Sequence, residues 1–167
     1  SYVVSKILGF NNSLFLRALK SFKSLKHRSE IVYQSNKLVV VNDSKATNLS
    51  STIHSIKGNN EVHLIMGGTL KNKNFDLLKN IKNKIRKIYL IGEASNYIFE
   101  QLKDDITCEK CNFMDIAVKK CFNDIKKINK FSTILLSPAC SSFDQYKDFE
   151  ARGDHFINLS EKFFKNI

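Results

Sequence analysis

From Arg28 onward the chain alternates short β-branched runs with stretches of helical spacing, and this alternation limits the fold more than any other feature. Strands fit residues 31–33, 37–41, 62–66, 87–91, a weak run at 106–108, and 132–136. Helices fit 50–56, 75–81, 95–103, 114–128, 143–150 and 160–165. The first two runs are separated by Gln34, Ser35 and Asn36, which reads as a hairpin. The repeated strand–helix units that follow imply an α/β fold: a Rossmann-like, doubly wound, mostly parallel sheet with helices on both faces.

Ahead of that pattern lie two helical stretches. Residues 1–9 look like the end of an apolar helix closed by Gly9, and residues 13–22 carry Leu14, Leu16, Leu19 and Phe22 in an amphipathic arrangement. Two helices cannot make a core of their own. The expected division is therefore 1–27, left over from a preceding domain, and 28–167, a domain proper.

With 167 residues and 43% hydrophobic content, a packed core is available and wholesale disorder is not expected. No apolar run approaches the roughly 18–20 residues that cross a bilayer, so no membrane partner is expected. The formal net charge of +11 invites a nucleic-acid reading. Only Arg17, Arg28, Arg86 and Arg152 are arginines, however, and the lysines are scattered rather than interleaved with aromatics on one face. Lysine, asparagine, isoleucine and phenylalanine are abundant together, as in chains from A/T-rich genomes, and no nucleic-acid partner is expected. Cys108 and Cys111 form a C-x-x-C without a second ligand pair, so they read as plain thiols of a reducing cytoplasm. Cys140 has no histidine placed by local sequence to activate it and reads as a small packing residue.

In a doubly wound sheet, ligands bind outside the carboxyl ends of the strands. That rule selects three loops, which should lie along one sheet edge. In the first, residues 41–48, Asp43 suits a ribose hydroxyl or a place near a metal, Lys45 suits a phosphate, and Thr47 suits a carboxylate or a helix cap. The competing reading has Asn48 or Ser50 cap the next helix while the rest is solvated. In the second, Gly67 and Gly68 sit at a strand end and allow close backbone approach, with Lys71 following as a carboxylate or phosphate clamp or as a plain surface lysine. The third runs from Ser137 and Pro138 through Ala139, Cys140, Ser141 and Ser142 into the helical pattern at 143–150. Hydroxyls and helix N–H groups there suit a carboxylate, and Phe149 suits either its methylenes or the core.

Taken together, these motifs resemble the C-terminal domain of the Mur ligases, and within that family the D-glutamate-adding branch. The residues carrying the likeness are Lys26-His27-Arg28, Asn42 through Asn48, Gly67-Gly68 with Lys71, and the long run from Leu135 to Asp154. The resemblance implies an ATP- and Mg²⁺-dependent ligase of peptidoglycan synthesis in the cytoplasm. In it, the carboxylate of UDP-N-acetylmuramoyl-L-alanine is phosphorylated and the amine of D-glutamate displaces the phosphate. It further implies that Thr47, Lys71, Ser142, Phe143 and Phe149 hold D-glutamate, while Arg28, Asp43 and Lys45 reach ATP and its phosphates. Residues 1–27 would then end the central ATP-binding domain. The family's phosphate-binding loop, carbamylated lysine and main Mg²⁺ ligands would lie in N-terminal and central domains upstream of Ser1. No catalytic or metal residue is therefore expected in this stretch, which alone should not ligate. The alternative is a stand-alone or degenerate binding module.

Overall fold

The computed structural model describes residues 2–22, 25–71, 73–128 and 130–164. Six strands form one sheet in the order β1-β2-β6-β3-β4-β5. They are β1 (Glu30–Gln34), β2 (Leu38–Asn42), β3 (Val62–Gly67), β4 (Ile85–Ile91), β5 (Cys108–Asn112) and β6 (Ser132–Leu136). The hairpin partners β1 and β2 are antiparallel, and every other pairing is parallel. β6, last in sequence, sits between β2 and β3, with Val41 and Leu64 both opposite Leu135. Three loop-bearing strand ends are thus neighbours in the middle of the sheet.

The helices are α1 (Tyr2–Ile7), α2 (Asn12–Ser21), α3 (Leu49–Lys57), α4 (Ser95–Leu102), α5 (Met114–Lys126) and α6 (Phe149–Phe164). Strand alternation divides the core in two. Val41, Leu64, Met66, Leu90 and Leu135 pack with α3 and α4 on one face. Val40, Ile65, Tyr89, Ile91, Ile134 and Leu136 pack with α5 and Phe156 of α6 on the other. The expected α/β sheet with helices on both faces is therefore present. α1 ends in a paired turn, with Gly9 N–H bonding the Lys6 carbonyl and Phe10 N–H bonding the Ser5 carbonyl, and Gly9 at φ +76°. Neither α1 nor α2 buries a residue.

Three local expectations are corrected. Residues 75–81 do not form an α-helix: Asp76–Lys84 is 3-10 helical. Phe75 and Leu78, both fully buried, are three residues apart, a spacing that one 3-10 turn brings to the same side, and the helical run is kinked at Ile81. The edge strand after α4 is Cys108–Asn112 rather than 106–108, because an edge strand with one wet side carries Glu109 and Lys110 without penalty. Most important, 143–150 is not a helix. Residues 142–146 form a turn in which the Ser142 carbonyl accepts from the N–H groups of Gln145 and Tyr146. One continuous helix, α6, then replaces the two expected segments at 143–150 and 160–165. Asp148 starts it, its Oδ1 accepting from Ala151 N–H at 2.7 Å. Gly153 lies inside α6 where a Cβ would collide with the His27 ring, so glycine here allows close packing.

Candidate functional site

Backbone hydrogen bonds tie the three selected loops to one another. Gly67 N–H donates to the Pro138 carbonyl at 2.9 Å, and Thr69 and Ser141 exchange two bonds at 3.1 Å each. Ala139 N–H donates to the Ala46 carbonyl at 2.9 Å, which joins the third loop to the first. Gly67 and Gly68, at φ +127° and +129°, permit this approach. Asp144 braces the far side of the third loop, accepting from Glu93 N–H at 3.0 Å. Asn48 caps α3, its Oδ1 accepting from Ser51 N–H at 2.9 Å, but Asn42, Asp43, Ser44 and Ala46 are buried, so the rest of the loop is not solvated as the capping reading had it.

Two arrangements hold the loops from below. His27, 3% exposed, accepts from Asn42 Nδ2 at 2.9 Å on Nδ1, which leaves Nε2–H facing Asp154 at 3.7 Å. The His27 carbonyl accepts from Lys45 N–H at 3.0 Å, so the segment before β1 is pinned to the first loop. Arg152, 1% exposed, donates from Nε to Ser44 Oγ at 3.0 Å and from Nη2 to the Ser44 carbonyl at 2.9 Å. Its Nη1 donates to the carbonyls of Cys140 and Ser141, each at 3.2 Å. Ser44 Oγ in turn donates to the Phe149 carbonyl at 2.8 Å, which connects this node to the start of α6.

Two cavities open above these ties. One, of about 300 Å³, is lined by Lys45, Thr47, Lys71, Ser141, Ser142, Phe143, Asp148, Phe149 and Glu150. It brings together all five residues expected from sequence to contact an amino acid. Ser142 is buried, Thr47 and Phe149 are half-buried, and Lys71 and Phe143 are exposed at the rim. The other, of about 390 Å³, includes Arg28, Ser29, Asp43, Lys45, Ser50, His54 and Ser55. It contains all three residues expected to meet a nucleotide. Lys45 lines both cavities, its ammonium 3.7 Å from the centroid of the Phe149 ring.

The Asp43 carboxylate is largely engaged by protein. Oδ1 accepts from Ser29 N–H at 3.1 Å, and Oδ2 accepts from Ser137 Oγ at 3.1 Å and from Ser55 Oγ. Lys71 has no ion-pair partner among the described residues. Burial pushes the Cys140 thiol up to about 12, so at neutral pH it carries no thiolate nucleophile. Cys108 and Cys111 are likewise raised by burial, to about 12 and about 11. Among the described residues, no group of three or more His, Cys, Asp and Glu side chains is arranged around a metal ion, and no helix is long and apolar enough to cross a membrane.

Sequence reasoning assigned no part to Arg152, Ser44 or Asn42, nor to the rim carboxylates Asp148 and Glu150. Arg152 lies 108 positions from Ser44, and nothing local marks an arginine as buried. Arg152 also fell between the two expected helical segments, 143–150 and 160–165, so no periodicity marked it as inward-facing.

No family model matches the chain. Among curated proteins, it is 36% identical over 163 residues to the UDP-N-acetylmuramoylalanine–D-glutamate ligase of Rickettsia prowazekii, an alignment covering 97% of this chain and 37% of that protein. It is 40% identical over 168 residues to the ligase of the same name from Prochlorococcus marinus, covering 93% of this chain and 34% of the relative. The Wolbachia pipientis protein of that name is 35% identical over 96% of this chain and 32% of its own length. The chain thus spans about a third of these relatives. Among solved structures, a murein peptide ligase from Psychrobacter arcticus matches 86% of this chain and 32% of its own at TM-score 0.50 and 14% identity. A folylpolyglutamate synthase from Thermotoga maritima matches 89% of this chain and 34% of its own at TM-score 0.51 and 15% identity. These two likenesses speak to the fold.

Proposed function

We propose, from the premise that this chain belongs to the Mur ligase family, that it forms the amino-acid-binding part of the ligase joining D-glutamate to UDP-N-acetylmuramoyl-L-alanine. The observation that carries this reading is the cavity in which Thr47, Lys71, Ser142, Phe143 and Phe149 meet. D-glutamate presents two carboxylates separated by methylenes. Lys71, Lys45 and the hydroxyls of Thr47 and Ser142 supply charge and donors for the carboxylates, while Phe143 and Phe149 supply apolar walls.

ATP is assigned to the neighbouring cavity, where Arg28 and Lys45 bring cations to phosphate oxygens. Asp43 is assigned to the ribose side, with Ser29, Ser55 and Ser137 fixing its orientation. Lys45, common to both cavities, then places the phosphates next to the amino acid. Such groups act by orientation and electrostatic clamping, with no proton transfer asked of them. In the full protein, the alanyl carboxylate would take the terminal phosphoryl group of ATP with release of ADP, the D-glutamate amine would then displace phosphate as the amide forms, and Mg²⁺ would supply charge neutralisation at the phosphates. No step is assigned to a metal held by this chain. The segment of α1 and α2, which bury nothing, is read as the end of a preceding domain, whereas His27, expected with it, packs into this one. Peptidoglycan synthesis in the cytoplasm is the corresponding cellular role.

In a full-length ligase carrying this sequence, Lys71→Ala raises the KM for D-glutamate at least about tenfold with little change in the KM for ATP. Ser142→Ala weakens D-glutamate by the loss of one charge-assisted hydrogen bond, about 1.5–3 kcal/mol. Steady-state kinetics with each substrate varied in turn checks both. An unaltered D-glutamate KM in Lys71→Ala removes Lys71 from the site.

A further inference from the structure

Arg152 is the largest fully buried side chain among the described residues. A buried guanidinium is costly unless its N–H groups find acceptors. Here the acceptors are Ser44 Oγ, the Ser44 carbonyl and the carbonyls of Cys140 and Ser141. Gly68 completes the enclosure: a Cβ there would come within 3.3 Å of Nη1. One planar group therefore bonds the first loop at Ser44 and the third at Cys140 and Ser141, and leaves no room for a side chain at Gly68 of the second. A lysine at this position could not reach acceptors on both sides at once, because its three donors spread from a single nitrogen.

No carboxylate is in direct contact with this group; Asp144 acts on it from further off, and Asp148 and Glu150 line the cavity above. No ion pair among the described residues involves Arg152. Burial lowers its pKa to about 10, so it remains a cation at neutral pH. Ser141, whose carbonyl accepts from Nη1, itself lines the cavity with Lys71 and Ser142, so the guanidinium lies directly beneath that wall. Charge below a partly dry cavity is screened far less than charge on the open surface.

We propose that Arg152 is the positioning residue of this cavity and a determinant of its charge selectivity. Its guanidinium fixes the loops that carry Thr47, Lys71 and Ser142, and its charge, held in no direct ion pair, favours a ligand with two carboxylates over one with a single carboxylate. The second part rests on the reading of the cavity as a D-glutamate site.

The test compares the chain with its Arg152→Gln, Arg152→Lys and Ser44→Ala variants, using amide NMR and titration with D-glutamate and D-glutamine. In the unliganded Arg152→Gln variant, the amides of Ala46, Gly68 and Ser142 shift together, and D-glutamate binding falls about tenfold or more while D-glutamine binding falls about threefold or less. Arg152→Lys keeps the charge, so it weakens both ligands and retains the preference for D-glutamate. Ser44→Ala removes one acceptor but no charge, so it weakens both ligands equally. Where Arg152→Gln fails to fold, the other two variants decide. Amide shifts confined to the substituted residue, or an Arg152→Lys variant without preference for D-glutamate, overturns the proposal. Equal losses for both ligands in Arg152→Gln reduce Arg152 to a structural residue and overturn the selectivity claim. Failure of the unsubstituted chain to bind D-glutamate removes the site reading and, with it, the selectivity claim. The positioning claim is then decided by the unliganded amide shifts alone.

Discussion

Gly68→Ala is expected to lower the stability of the fold by about 2–6 kcal/mol, the sum of a forced positive φ and an overpacked contact. Gly68 holds φ +129°, which L-residues rarely adopt. Its missing Cβ would also coincide with the carbonyl oxygen of Ser141 and press on Arg152 Nη1. Both neighbours belong to rigid hydrogen-bonded structure, because Ser141 pairs with Thr69 and Arg152 is fixed to Ser44. The clash therefore separates the second loop from the third. Gly58→Ala is the control: Gly58 has helical dihedrals, and a Cβ there would meet nothing closer than 3.6 Å. That substitution is expected to be neutral or to stabilise by about 0.4–1 kcal/mol through the unfolded chain. Urea unfolding of the three proteins measures both, and a Gly68→Ala protein as stable as Gly58→Ala contradicts the packing described for the loop junction.

The second large effect comes from the opposite end of the sheet. His63 is 2% exposed in β3, facing α5. Tyr89 Oη donates to Asp124 Oδ2 at 3.0 Å, so the 3.0 Å contact between His63 Nδ1 and Tyr89 Oη requires the proton on Nδ1. Nε2 then carries the lone pair, and it is buried with no partner among the described residues. Protonation would place an N–H there with no acceptor. Burial accordingly pulls the His63 pKa down from 6.5 to about 4; Asp124 and Glu61 oppose the change, while Lys87 and Arg86 reinforce it. Between those two values the unfolded chain binds a proton that the folded chain refuses, so stability falls as pH falls. The loss across the full window is about 3 kcal/mol, at about 1.4 kcal/mol per pH unit. Most of it precedes the protonation of carboxylates held low by lysines, such as Glu109. Urea unfolding at intervals from pH 7 to 4.5 should show this slope in the parent protein and a nearly flat line in His63→Leu. Parallel curves for the two would assign the acid sensitivity elsewhere.

How much of this was legible in the sequence depended on whether a residue's role was local. The three loops could be found because an apolar strand that stops abruptly in glycine or hydroxyl residues is a local signal, and the parallel topology puts such ends on one edge. The same reasoning failed at 143–150, where Phe143, Phe149 and the polar residues between them imitate a helical face. The backbone there is instead committed to a turn about Ser142 and to bracing by Asp144. That error changes the chemistry: no helix begins at Ser142, and the N-terminus of α6 is already taken by Asp148. The cations at the cavity are Lys45 and Lys71, with buried Arg152 beneath and the carboxylates Asp148 and Glu150 at the rim, and no helix end contributes. Arg152, His27 and Asn42 were out of reach of sequence reasoning because their partners lie far off in the chain, in loops and strands that only the folded topology brings together.

The most direct test of the central claim is titration of D-glutamate into the chain while the backbone amides are followed by NMR. The account predicts saturable shifts at Thr47, Lys71, Ser142 and Phe149, loss of those shifts in Lys71→Ala, and weaker binding of D-glutamine, which lacks the second carboxylate. D-glutamate shifts that fall elsewhere on the surface, or that persist unchanged in Lys71→Ala, would contradict the assignment of this cavity as the amino-acid site.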